Sequence, residues 1–314
     1  MTRKAWATLC ALCLLVPAAG GCLQRGESAG VPSTPSSSSR TASAPVAHQA
    51  PTTPDDSGPP RSSTPSSTSV RAAAPPPETP PPPATSSTAR PPEAACTDPV
   101  WQSSEPDAME NLGGYWVHNN AWNSGPGMSQ TIRACSEKSW NVEASGMTGE
   151  DVKSYPNAHH DIDYPDGRHL STWSTITSRF AGAGPGKGSY NVAYDLWLNG
   201  IGWADGHTEV MVWTETHGGA TPLGRVVATY TAPDGKAYDV WKYGSPAEMN
   251  VVSFVSKDPQ YAGTLDLKDL IDWAVASGYV PADPTVNQID YGIEFRDTAG
   301  TSRFTASDFA VTMR

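Results

Sequence analysis

Charged residues make up only 17% of this 314-residue sequence, and basic ones are scarcest where the chain can fold. The last 219 residues carry 14 Lys or Arg against 27 Asp or Glu, a net charge of −13. A domain that acidic repels phosphate backbones, which excludes a nucleic-acid binder. Aromatic residues are missing from Leu23 to Ala95, and of the 11 Trp only Trp6 precedes residue 96. Those 73 residues hold 17 Pro, 24 Ser or Thr and 12 Ala, with Leu23, Val31, Val46 and Val70 as the only larger aliphatics. Such a stretch buries too little apolar surface to offset its ordering entropy. Residues 23–95 are therefore expected to be a disordered, semi-extended tether, leaving one folded domain in 96–314.

A hydrophobic run long enough to span a bilayer is also missing near the N-terminus, where Ala5 to Val16 falls short. It follows Arg3 and Lys4 and precedes small residues up to Cys22, the form of an export signal over residues 1–22. The stretch Ala19-Gly20-Gly21-Cys22 resembles a bacterial lipobox, in which the cysteine becomes the lipidated first residue of the mature protein. The alternative is an ordinary secretory signal cut near Ala19 or Gly21. Either way the domain is expected outside the cell as a monomer, touching a membrane only through a lipid on Cys22.

Cysteines number five. Cys10 and Cys13 leave with the signal, and Cys22 serves the anchor. Cys96 and Cys135 remain in an exported domain, where disulfides persist. Their pairing would close a loop of about 40 residues and contribute about 4 kcal/mol by the chain-entropy model.

Several site signatures are absent. No Gly-x-Ser-x-Gly or His-Glu-x-x-His occurs, which removes the serine esterase and zincin readings. Gly182-Ala-Gly-Pro-Gly-Lys-Gly-Ser189 has Gly188 where a phosphate loop needs Ser or Thr, and reads as a flexible loop. His207-x-Glu209 lacks the Pro-Cys-x-x-Cys partner of a zinc deaminase. His159 and His160, with Asp161, Asp163 and Asp166, are metal-ligand types, yet a polar loop with adjacent histidines and a proline reads first as a turn. No metal or cofactor is expected.

What is present after Cys96 is period-two alternation in short aromatic and β-branched segments separated by Gly, Pro, Asn and Asp. This predicts an all-β, antiparallel sandwich or jelly roll. One stretch differs: Leu267, Leu270, Ile271 and Ala274 recur at helical spacing, with Gly278 placed to end a packed helix.

The alternation assigns faces. Asn191, Ala193, Asp195, Trp197 and Asn199 oppose Val192, Tyr194, Leu196 and Leu198. Glu209, Met211 and Trp213 oppose Val210 and Val212, with Glu215 placed at a solvated strand end. Gln288, Asp290, Gly292, Glu294 and Arg296 oppose Ile289, Tyr291, Ile293 and Phe295, and Trp116, His118, Asn120 and Trp122 fall in register. Faces rich in indoles, amides and isolated carboxylates differ from ordinary solvent faces. They suit a concave sugar-binding cleft, because indoles stack on pyranose C–H faces while Asn and Asp bond hydroxyls.

Five pieces in order carry a family resemblance: Tyr115-Trp-Val-His-Asn-Asn-Ala-Trp122, Val152-Lys-Ser-Tyr-Pro-Asn157, Tyr194-Asp-Leu-Trp-Leu-Asn199, Thr208-Glu-Val-Met-Val-Trp213 and Tyr291-Gly-Ile-Glu294. Over essentially all of residues 96–314 the chain resembles glycoside hydrolase family 12, β-jelly-roll endo-β-1,4-glucanases. The resemblance implies Glu209 as nucleophile, Glu294 as general acid/base and Asp195 as support for the nucleophile. It also implies glucosyl contacts at Asn120, Trp122 and Met211, to which the strand faces add Trp116 and Trp197. The implied activity is metal-free retaining hydrolysis of cellulose-like or mixed-linkage β-glucan. The alternatives are a xyloglucan-specific endoglucanase or a glucan-binding protein without turnover.

The chemistry needs two carboxyl groups about 5–5.5 Å apart, one ionised to attack the anomeric carbon and one protonated for the leaving oxygen. A proton held on Asp195 would keep Glu209 ionised. This chain departs from the family where Phe295 and Arg296 directly follow the acid/base position. A guanidinium there would favour the ionised acid. Residues 158–166 have no placed family counterpart.

Overall fold

The computed structural model describes residues 96–314, together with Ser87, Ala89 and Arg90. The export signal, Cys10, Cys13, Cys22 and most of the tether lie outside the described residues. The alternating segments form two stacked sheets. One has six strands in the order β1 (Trp101–Ser103), β4 (Ser129–Ala134), β5 (Trp140–Ser145), β16 (Ser302–Met313), β8 (Ile176–Ala183) and β14 (Ala262–Asp266). The other runs β11 (Arg225–Thr231), β12 (Ala237–Gly244), β13 (Asn250–Ser256), β10 (Thr208–His217), β9 (Ser189–Leu198), β15 (Thr285–Asp297), β6 (Asn157–Asp161), β3 (Tyr115–His118) and β2 (Met109–Leu112). A two-residue strand, β7 (Arg168–His169), pairs with the start of β15.

The jelly-roll sandwich expected from the sequence is the observed fold, with one pairing of the other sense. β10 and β13 run parallel, Thr208–Trp213 beside Asn250–Val255. The reason is topological: β11 and β12 form a hairpin at the sheet edge, so the chain returns to β10 in the direction it left. The core lies between the sheets. Tyr190, Val192, Tyr194, Leu196 and Leu198 of β9 and Ile289, Tyr291, Ile293 and Phe295 of β15 are buried there with Phe180, Phe304 and Phe309 of the facing sheet. The assigned apolar faces thus meet as alternation requires.

The helix α1 (Leu267–Ala276) buries Leu267, Leu270, Ile271 and Ala274, the four residues at helical spacing. Asp266 caps it by accepting from the Asp269 N–H, and Gly278 follows in the left-handed region at φ +72°. Trp273 packs on Phe254 and Tyr230, so the helix covers the inner face of β13 and β11. Cys96 and Cys135 are disulfide-bonded with their Cα atoms 5.5 Å apart. Among the described residues no helix is long and apolar enough to cross a membrane.

Four local expectations change. A β-bulge between Trp213 and Glu215 adds a residue to β10 and brings Glu215 opposite Val192, on the inner face. Glu215 is therefore a buried carboxyl and not a solvated strand end, accepting from Tyr190 Oη at 2.6 Å and the Gly184 N–H at 2.8 Å. Alternation in β3 stops at His118, because Asn120 takes φ +40° and starts a loop. His159 and His160 lie on β6 and not in a turn, one beside His118 and the other against Tyr115. Lying on opposite faces of the strand, they share no ligand geometry. Gly182 and Ala183 complete β8 and Ser189 opens β9, so the glycine-rich loop is a short crossing from one sheet to the other. The ordered chain also begins earlier than Cys96: Ser87 bridges the edge strand β14, its N–H donating to the Ala262 carbonyl at 2.9 Å.

Candidate active site

Three central strands, β10, β9 and β15, put carboxyls on the face of the ten-stranded sheet that turns away from the core. Pairing fixes the neighbours. Asp195 lies across from Met211 on one side and from Asp290 on the other. Glu209 lies across from Trp197, which in turn faces Gln288. Glu294 lies across from Asn191. Glu209 is 8% exposed and Asp195 and Asp290 4% each, so these carboxyls have little bulk water to solvate their charge.

The electrostatics follow from that burial. Desolvation, then repulsion from Glu209, Glu294 and Asp290, pushes Asp195 well above the usual carboxylate range. Contact between the Asp195 and Glu209 carboxyls adds to the rise. Burial and the charge of Glu294 also raise Glu209, while Asp195 and the indole of Trp203 oppose that rise by holding the ionised form. Burial raises Glu294 in turn, opposed by Arg296 and then by the Asn191 amide. The Arg296 guanidinium stands 3.8 Å from Glu294 Oε2, so the guanidinium expected near the acid/base position is in place.

Asp290 is a further buried carboxyl that sequence reasoning placed on the polar face without a role. Burial raises it well above the carboxylate range, helped by the charges of Asp161 and Glu209 and opposed by the indole of Trp197. Tyr155 was read only as part of a motif. Its hydroxyl donates to the Ala193 carbonyl at 3.1 Å, and the charges of Asp195, Asp290, Glu294 and Glu209 all reach it. Its N–H donates to the Asn120 carbonyl, which fixes the loop carrying Asn120 and Trp122 to the carboxyl cluster. Trp203 went unnoticed because it sits in the glycine-rich loop between β9 and β10, where no alternation marks a face. That loop joins the two strands bearing Asp195 and Glu209, which is the signal that could have found it.

The remaining predicted site residues divide. Trp116 lies on the same face two strands beyond β15, level with His159. Trp122 is exposed, and Trp203 matches it at 52%. Met211 is nearly closed off, its sulfur accepting from the Trp213 indole, and both join Ala193, Ala220 and Val251 in a small apolar cluster on this outer face. A carboxyl pair, Glu209 buried and Glu294 partly so, flanked by the buried Asp195 beside exposed indoles, can attack and protonate an acetal.

Known proteins resemble this chain in sequence and fold. Probable xyloglucan-specific endo-beta-1,4-glucanase A of Aspergillus clavatus is 31% identical over 218 residues, covering 64% of this chain and 84% of that protein. An inactive glycoside hydrolase of Phytophthora nicotianae is 25% identical over 215 residues, 65% of this chain and 86% of its own. Among solved structures, the xyloglucanase domain of NopAA, a type three effector from Sinorhizobium fredii in complex with cellobiose, superposes with a TM-score of 0.59 at 26% identity. It covers 69% of this chain and all of that one. The family model for glycosyl hydrolase family 12 matches residues 113–314. The chain therefore belongs to glycosyl hydrolase family 12 and is a glycoside hydrolase.

Proposed function

We propose that the protein is a retaining endo-β-1,4-glucanase acting on internal bonds of a β-glucan by double displacement. The observation that carries this reading is the placement of Glu209 and Glu294 on strands flanking Asp195, largely closed off from solvent and close enough for the charge of Glu294 to act on Glu209. Glu209 attacks the anomeric carbon as the glycosidic C–O bond breaks, and Glu294 gives its proton to the leaving oxygen. Glu294, now ionised, then takes a proton from water, which attacks the anomeric carbon and releases Glu209. Asp195 supports the nucleophile by donating to it. Asn120, Trp122, Trp116, Trp197 and Met211 contact glucosyl units. Xyloglucan is the second reading for the substrate, favoured by the names that the Aspergillus clavatus and Sinorhizobium fredii relatives bear. Residues 1–22 export the domain, and Cys22, lipidated, holds it by the 23–95 tether as a monomer at the cell surface.

The test is reducing-end release from carboxymethylcellulose, mixed-linkage β-glucan and xyloglucan by wild type, Glu209→Gln and Glu294→Gln. Both variants are expected to lose release from the preferred glucan by at least about 100-fold. Azide is expected to restore turnover to Glu209→Ala through a glycosyl azide of inverted configuration. Unchanged release in either Gln variant overturns the assigned pair. Binding without release by wild type moves the protein to the glucan-binding alternative.

A further inference from the structure

Arg296 is held in place by three groups. Its Nη2 stands 3.8 Å from Glu294 Oε2, its Nη1 donates to the Glu150 carbonyl at 3.2 Å, and its guanidinium carbon lies 5.8 Å over the Trp213 ring. Arg296 and Glu294 side chains are 14% and 15% exposed, so solvent screens their interaction weakly. Beyond Glu294 along β15, Arg296 and Asp297 form part of the wall of a pocket of about 530 Å³, with Gly149, Glu150, Ser189 and Thr221. Glu209 lies at the opposite end of this line, six positions along β9 from the residue that Glu294 faces. The pocket thus lies beyond Glu294 on the side away from Glu209.

We infer that Arg296 is a positioning residue that strengthens Glu294 as an acid, held between that carboxyl and the adjoining pocket. The inference rests on the glucanase reading. When the Glu294 O–H bond breaks and the leaving oxygen gains the proton, a carboxylate forms next to a fixed cation, which stabilises it. The same cation lowers the pH at which Glu294 loses its proton in the resting protein, so the enzyme gains acid strength and gives up alkaline range. The other groups facing Glu294 act in the opposite sense or are neutral. Asp195 on β9 and Glu209 on β10 raise it when charged, Tyr155 reaches it uncharged, and the Asn191 amide carries no charge. In the adjoining loop, Glu150 lends only its carbonyl, and Lys153 stands 4.0 Å from Asp151.

The experiment compares wild type, Arg296→Gln and Arg296→Lys in the pH profile of kcat/KM on the preferred glucan. It adds the ¹³C titration of the Glu294 carboxyl, assigned by its loss in Glu294→Gln. Arg296→Gln is expected to move both the alkaline limb and the carboxyl midpoint up by about one pH unit, and Arg296→Lys to restore most of the wild-type position. An unmoved midpoint in Arg296→Gln overturns the inference. If wild type releases sugar from no glucan, the hydrolase reading fails, and the ¹³C midpoint still decides the role of Arg296.

Discussion

Asp290 shows how function loads a single residue. Its carboxyl is buried, one of its oxygens has no hydrogen-bond partner, and burial raises it well above the carboxylate range. A carboxyl raised in the folded state stabilises, by comparison, below its unfolded value near 4, and that advantage is lost as pH rises. Asp290→Asn removes the ionisation while keeping an acceptor for the Trp197 indole. The variant is expected to gain about 0.5–2 kcal/mol at pH 8 and almost nothing at pH 4, read from urea unfolding at the two pH values. At this scale the strand face was legible, since Asp195, Glu209 and Glu294 lie on the outer face where alternation put them. Burial depth was not legible, because the loops that close over Trp213 and Met211 come from distant segments such as Ala220.

Elements repeat the lesson with different physics. The helix was readable because its four buried residues, its Asp266 cap and its Gly278 stop are local to the chain. Asp266→Ala leaves the Asp269 N–H without its acceptor and is expected to cost about 1 kcal/mol, measured as a lowered thermal midpoint with activity retained. Glu215 was misread because one extra residue in β10 inverts the alternation, and a bulge has no signal in a single sequence. The strand thereby serves both sides: Glu209 faces substrate and Glu215 ties β10 to Tyr190 and the β8–β9 connection.

For the whole molecule, alternation foretold a sandwich. The order of strands in each sheet, and the parallel β10–β13 pair, depend on contacts distant in sequence and were not legible. The boundary also moved. Ser87 donates to the Ala262 carbonyl and accepts from the Tyr261 N–H, so residues before Cys96 protect the edge of β14. A domain beginning at Cys96 is expected to be less stable than one beginning at residue 86 by about 1–2 kcal/mol, as two backbone hydrogen bonds are lost. Thermal melts of the two fragments check this. Reducing the Cys96–Cys135 bond is expected to cost up to about 4 kcal/mol more in either fragment.

That disulfide also decides where mechanical load goes. A pull on the chain upstream of Ser87 first peels its bridge from β14 and then meets the covalent link to Cys135, beside the β4–β5 hairpin of the six-stranded sheet. Tension therefore ends in the sheet that carries none of the four buried carboxyls. The tether thus joins the domain on the sheet opposite the one bearing Glu209 and Glu294, and its pull enters there.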